Sequence, residues 1–347
     1  MYNRAFSILE ALLALFIVTT MLVTVFQFDS YTFQILSNKK EIPLVKDAIF
    51  SDRYKGYDTC FLNSQYSVAS IDNIVIPYVT SAVGRNGYVF VTADSNIQSD
   101  PDLYILKDGM VEGALTTGPG LRDIAVIKGY AYVANTSSIS QVQKIDISNL
   151  LSPHVVASYA FASTGNAIRF DQDKIYVGAE KAYTPELVVL DKNLKLQSSY
   201  ETNSQVNDIY VTDKVYVAAS DINQLHIIGQ STFSPSGWET QQGKVLVASG
   251  SQIYFGRTVG GFNNKNNHEL FLLGSTSVDI GTGVYGLLSS EDIFFVAGKG
   301  VQVWRKPFTY VYTIPLMSDA VSLSCDKDVL IIGTKTGLSI IKFTYAY

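Results

Sequence analysis

Tyr130-Ala131-Tyr132-Val133-Ala134, followed after a polar turn by Val142-Gln143-Lys144-Ile145-Asp146-Ile147, is the stretch that decides the fold. Its first half is a short β-branched and aromatic run that closes on a small residue. Its second half is another apolar run of strand length, and both are too short for a helix. The first half recurs as Tyr88-Val89-Phe90-Val91-Thr92, Lys174-Ile175-Tyr176-Val177-Gly178, Lys214-Val215-Tyr216-Val217-Ala218, Gln252-Ile253-Tyr254-Phe255-Gly256, Ile293-Phe294-Phe295-Val296-Ala297 and Val329-Leu330-Ile331-Ile332-Gly333. Second strands follow at 102–107, 142–147, 186–191, 224–229, 269–274, 301–306 and 338–343. The chain therefore holds seven copies, spaced 36 to 44 residues apart.

Seven units of this length, each with room for four short strands, predict an all-β seven-bladed β-propeller. A sandwich would not need the repeat. The recurring small residue (Thr92, Ala134, Gly178, Ala218, Gly256, Ala297, Gly333) is expected where blades converge and large side chains would collide.

The units resemble the bacterial repeats of the Leu-Val-Ile-Val-Asp type, best across 130–147. A propeller must close, and residues 74–83 resemble 311–321, the join between the sixth and seventh units. Residues 74–79 are accordingly expected to supply the outer strand that the last blade lacks, removing an exposed sheet edge. Cys60 lies just before that strand and Cys325 lies in the last blade, which predicts a Cys60–Cys325 disulfide locking the ring. The alternative is two separate buried thiols. Neither cysteine has the spacing of a zinc ligand.

Upstream of the repeats, residues 6–28 are mostly apolar with one ionisable residue, Glu10, and are long enough to cross a bilayer. A carboxylate there is costly unless it sits near the interface or meets a positive partner. The run Ala5-Phe6-Ser7-Ile8-Leu9-Glu10-Ala11-Leu12-Leu13-Ala14-Leu15 resembles the class III signal of type IV pilins and pseudopilins. That resemblance implies cleavage between Ala5 and Phe6 by a prepilin peptidase, methylation of the new Phe6 amine, and pairing of Glu10 with the Phe6 amine of a neighbouring subunit. The expected layout is a leader at 1–5, a pilin-like transmembrane and assembly helix at 6–52, a linker at 53–58 and a propeller at 59–347. At 1.5 Å per residue, 6–42 would form a rod of roughly 55 Å.

A net charge of −5 and a pI near 5.3, with no basic stripe, exclude a phosphate-tracking nucleic-acid surface. His154, His226 and His268 fall at non-equivalent places in the repeat, which argues against a shared metal or a triad. Residues 94–102 carry alternating oxygen ligands but lack the central glycine and the bidentate Glu of a calcium loop. No cofactor is expected. The insertion at 259–268, with Phe262, is the longest departure from the repeat, and such insertions often lie on a binding face.

Read as equivalent first residues of the innermost strands, Ser81, Arg122, Asn166, Asn207, Gly243, Tyr285 and Asp319 are expected to ring one mouth of the central channel. Six of these seven can hydrogen-bond, which suits a polar ligand. Solvation of a wet channel is the alternative.

The function expected is that of a pilin-like subunit of an extracellular type IV filament or pseudopilus. It would be held in the inner membrane before assembly and would display a propeller to a surface, glycan or protein ligand. Its partners would be other pilin subunits through the N-terminal helix. The alternatives are a membrane-anchored extracellular binding module that never polymerises, or an exported propeller hydrolase. No convergent His/Asp/Glu set supports an enzyme.

Overall fold

The computed structural model describes residues 60–345 apart from 96, 98, 119, 162, 182–184, 221–222, 230–241, 250 and 260–266. Ala5, Phe6, Glu10, the 6–52 helix, the 53–58 linker and Phe262 lie outside the described residues. Among the described residues no helix is long and apolar enough to cross a membrane.

Seven antiparallel sheets follow one another along the chain. Blades 1 to 6 cover 79–115, 121–159, 165–200, 206–227, 243–278 and 286–314, and blade 7 covers 320–345 plus an early strand. Blade 4 has three strands among the described residues, and the others have four. The first strand of each blade touches the first strand of the next, and that of blade 7 touches that of blade 1. The first strands thus line the axis and the ring is closed.

Second strands are covered on both faces by neighbouring blades, so they read as unbroken apolar runs, as in Ile293–Gly298, buried throughout. Outermost strands face water and read polar or mixed, as in Leu196–Tyr200. The core lies between the sheets: Phe90, Ile105, Ile124 and Val133 pack blade 1 on blade 2, and Phe295, Val303, Leu330 and Ile341 pack blade 6 on blade 7. Tight turns join the first two strands. Asn86 and Gly87, at φ 55° and 78°, form a two-residue hairpin whose twist matches its strands.

The predicted small position is where blades meet. Thr92, Ala134, Gly178, Ala218, Gly256, Ala297 and Gly333 pair with Ser81, Asp123, Ala167, Asp208, Val245, Gly286 and Ser322 on the first strands. A Cβ at Gly178 would stand 2.2 Å from Val206 of blade 4, and one at Gly256 would stand 2.4 Å from Val284.

A row of buried polar side chains stitches the blades. Asp102, Gln141, Glu186 and Glu269, each just before a third strand, accept backbone N–H bonds from the segment leaving the fourth: Thr117 and Gly118, Phe161, Thr202 and Asn203, and Ile280. Each has an exposure of 4 % or less.

Closure differs from expectation in its strand and agrees in its lock. The outer strand of blade 7 is Tyr66–Ile74, running antiparallel to Gly337–Tyr345 with Tyr66 opposite Tyr345 and Ile74 opposite Leu338. Of the expected residues 74–79 only Ile74 belongs to it. Tyr78 takes φ 59°, Ile76 is buried, and Val79 already opens the first strand of blade 1. Cys60 and Cys325 form the disulfide, with Cα atoms 5.2 Å apart. Phe61 N–H donates to Lys327 O at 2.8 Å, and Leu62 is fully buried beside Leu288 and Phe295.

Candidate functional site

The first strands of six of the seven blades enter the channel through the same irregularity. In blades 1, 2, 3, 4, 5 and 7 the register shifts after the first pair, leaving one extra residue: Thr80, Arg122, Asn166, Asn207, Lys244 and Val321. Tyr285, whose N–H donates to Ala297 O at 3.0 Å, precedes the first pair of blade 6. A β-bulge of this kind re-aims its extra side chain. All seven residues line one cavity of about 160 Å³ at the axis.

Four of the expected ring residues, Arg122, Asn166, Asn207 and Tyr285, occupy these positions. Ser81 lines the cavity too, one step past the bulge, where its Oγ donates to Asp123 at 2.9 Å. Two need correction. Gly243 gives way to Lys244, and its carbonyl accepts from Asn207 at 2.6 Å. Asp319 lies outside the cavity lining, bonded to Lys335 at 2.8 Å, and Val321 takes its place. The reason is alignment of drifted repeats: the bulge is the same in blades 2 to 4, where the expected residues hold, and Gly243 and Asp319 lie one and two residues short of it in blades 5 and 7.

Below the ring lies a carboxylate–guanidinium–carboxylate cluster. Asp123 accepts from Ile124 N–H and Ser81 through one oxygen, and from Ile168 N–H of blade 3 through the other, each at 2.9 Å. Asp208 accepts from Ile209 and Leu246 N–H groups at 2.8 Å each, the latter in blade 5. Arg169 reaches from between them, its Nε donating to Ile209 O at 2.8 Å and its Nη2 lying 3.6 Å from Asp208. Burial pushes the Asp208 carboxyl up to about 6 while Arg169 restrains the rise. Burial raises Asp123 too, against the same arginine. Every oxygen of the pair already accepts a bond, so the cluster braces blades 1 to 5.

The ring residues carry less mutual bonding. Arg122 pairs with Asp94 at 3.1 Å. Asn207 bonds Ser220 and the Gly243 carbonyl, and Asn166 reaches Val206 O at 3.4 Å. Lys244 has no hydrogen-bond or ion-pair partner among the described residues, and burial lowers its ammonium pKa. The ring can therefore donate hydrogen bonds, including those of the unpaired Lys244 ammonium.

The remaining sequence candidates are scattered. His226 is buried in blade 4, His268 bonds Ser277 at 2.6 Å in blade 5, and His154 is exposed in blade 2. In the 94–102 loop, Asp94 serves Arg122, Asp100 holds Ser95, and Asp102 holds Thr117. Among the described residues no group of three or more His, Cys, Asp or Glu side chains is placed to hold a metal. Lys244 and the Asp123–Arg169–Asp208 cluster were missed from sequence. Their signal is the step Arg122-Asp123-Ile124 and Asn207-Asp208-Ile209, the same Asp-Ile pair at one position of two blades.

No family model matches the chain, and no curated protein matches it. Solved structures do. It is similar to the computationally designed Ika8 protein (TM-score 0.56, 12 % identity, 85 % of this chain and 98 % of that one). It is also similar to the WD40 β-propeller domain of Doa1 (0.57, 15 %, 80 % and 96 %). A third likeness is to the extracellular domain of the putative one component system BT4673 from B. thetaiotaomicron (0.55, 12 %, 79 % and 40 %). These likenesses establish a propeller and nothing finer.

Proposed function

We propose that this chain is a pilin-like subunit of an extracellular type IV filament or pseudopilus, with a propeller of Leu-Val-Ile-Val-Asp-type repeats as its displayed head. The observation that carries the reading is residues 6–28, mostly apolar with Glu10 as their one ionisable residue, opening on the Ala5-Phe6 step. A buried amine and a buried carboxylate each cost several kcal/mol alone and far less as a pair, so Phe6 and Glu10 of adjacent subunits would set the packing register. The Cys60–Cys325 disulfide supports a head that folds outside the cytoplasm. A bulky head suits a minor or tip subunit better than a close-packed shaft. Its task is presentation of the propeller to a surface, glycan or protein.

The test is intact mass and amino-terminal sequencing of the chain recovered from sheared surface filaments. N-methylated Phe6 as the first residue is the expected result. A start at Met1, found only in membranes, would refute assembly and leave an anchored binding module.

A further inference from the structure

Three cationic side chains, Arg122, Arg169 and Lys244, line the channel cavity with two carboxylates, Asp123 and Asp208. Two of the cations are matched: Arg169 by Asp208 at 3.6 Å and Arg122 by Asp94 at 3.1 Å. Lys244 is not. It stands on the bulge of blade 5, partly withdrawn from water, and makes no hydrogen bond or ion pair among the described residues. An ammonium stripped of water without a partner is unfavourable. The carboxylates of the same cavity, Asp123 and Asp208, hold backbone N–H groups of the next blade and lie on either side of Arg169.

We propose that the channel mouth binds a small monocarboxylate, with the Lys244 ammonium as its counter-charge and Arg122 and the Tyr285 hydroxyl as further donors. The cavity of about 160 Å³ matches one that holds a benzene-sized molecule and falls below the range of drug-sized pockets. It is of a size to take a hydroxy acid or the acidic ring of one sugar. The lining is mostly polar, which suits the hydroxyl groups of such a ligand as well as its carboxylate. A single unpaired ammonium, with Asp123 and Asp208 in the same lining, matches a monoanion better than a phosphate dianion. The depressed ammonium pKa agrees, because an anion alongside would restore it. The inference goes beyond the assembly reading and does not rest on it.

The experiment is calorimetric titration of the detergent-solubilised full chain with lactate and D-glucuronate, using glucose as the uncharged control and inorganic phosphate as the competing anion. At least one acid should bind ten-fold or more tighter than glucose and tighter than phosphate. Lys244→Gln should weaken that acid at least ten-fold, and Lys244→Arg should restore it to within about three-fold. Arg122→Gln, at a more exposed position, should weaken it several-fold and keeps the test open if Lys244→Gln fails to fold. The proposal is overturned if neither acid exceeds glucose, if phosphate binds tighter than both, or if folded Lys244→Gln binds as the parent does. Because binding is read on the unassembled chain, either result leaves the Phe6 and Glu10 reading untouched.

Discussion

Replacing Cys60 and Cys325 together by serine opens the covalent ring while leaving the strand pairing of blade 7 in place. The bridge spans 265 residues of sequence. In the chain-entropy treatment a loop of that length restricts the unfolded chain by about 19 cal/mol/K, or about 5.5 kcal/mol at 25 °C, whereas bridges commonly deliver 2–4 kcal/mol. The folded state keeps Tyr66–Ile74 against Gly337–Tyr345 and the Tyr66–Tyr345 edge contact at 5.4 Å, so it should survive. The expected loss is about 4 kcal/mol. Urea unfolding followed by tryptophan fluorescence measures it, since Trp304, 6 % exposed, lies in the blade that packs on blade 7. Parent protein under reducing conditions should match the double variant within about 1 kcal/mol. Equal midpoints for the oxidised parent and the double variant, with equal slopes, would refute the lock and assign closure to the strands alone.

Gly178→Ala should destabilise the propeller by about 1–3 kcal/mol in thermal unfolding, because its Cβ would meet Val206 at 2.2 Å in a packed seam. Glu269 is fully buried, and burial pushes its carboxyl from the usual 4.5 to about 7, with only part offset by the Ile280 N–H. An acid whose folded pKa is raised binds more protons folded than unfolded, so stability falls as pH rises from about 4.5 to about 7 and then levels off. Glu269→Gln keeps the acceptor for Ile280 and should flatten that fall, gaining up to about 3 kcal/mol at pH 8 and nothing at pH 4. Paired urea titrations at the two pH values decide it. Glu10→Ala should abolish recovery in sheared filaments while membrane retention and export persist, read by fractionation and immunoblotting.

Much of the fold was legible because its signals are local and repeated. A run such as Ile293–Gly298 must be covered on both faces, and seven such runs at similar spacing leave few architectures. Cys60 and Cys325 were legible as a pair because each lay near one end of the repeat array. The candidate site was only half legible. Arg122, Asn166, Asn207 and Tyr285 sit where their position in the repeat places them and Ser81 lines the cavity beside Thr80, but Lys244 and Val321 replace the residues expected in blades 5 and 7.

By itself the amino-acid order determined the period, the blade number, the small residues at the seams and the two cysteines of the closing bridge. Tertiary structure decided the rest. Bulges on the first strands appear only when each strand meets its partner, and one extra residue turns a side chain from the sheet face into the channel. The outer strand of blade 7 was settled by pairing with Gly337–Tyr345, a partner more than 260 residues away, which no local pattern encodes. The company that Asp123, Arg169 and Asp208 keep, and the lack of it at Lys244, exist only where the blades converge on one axis.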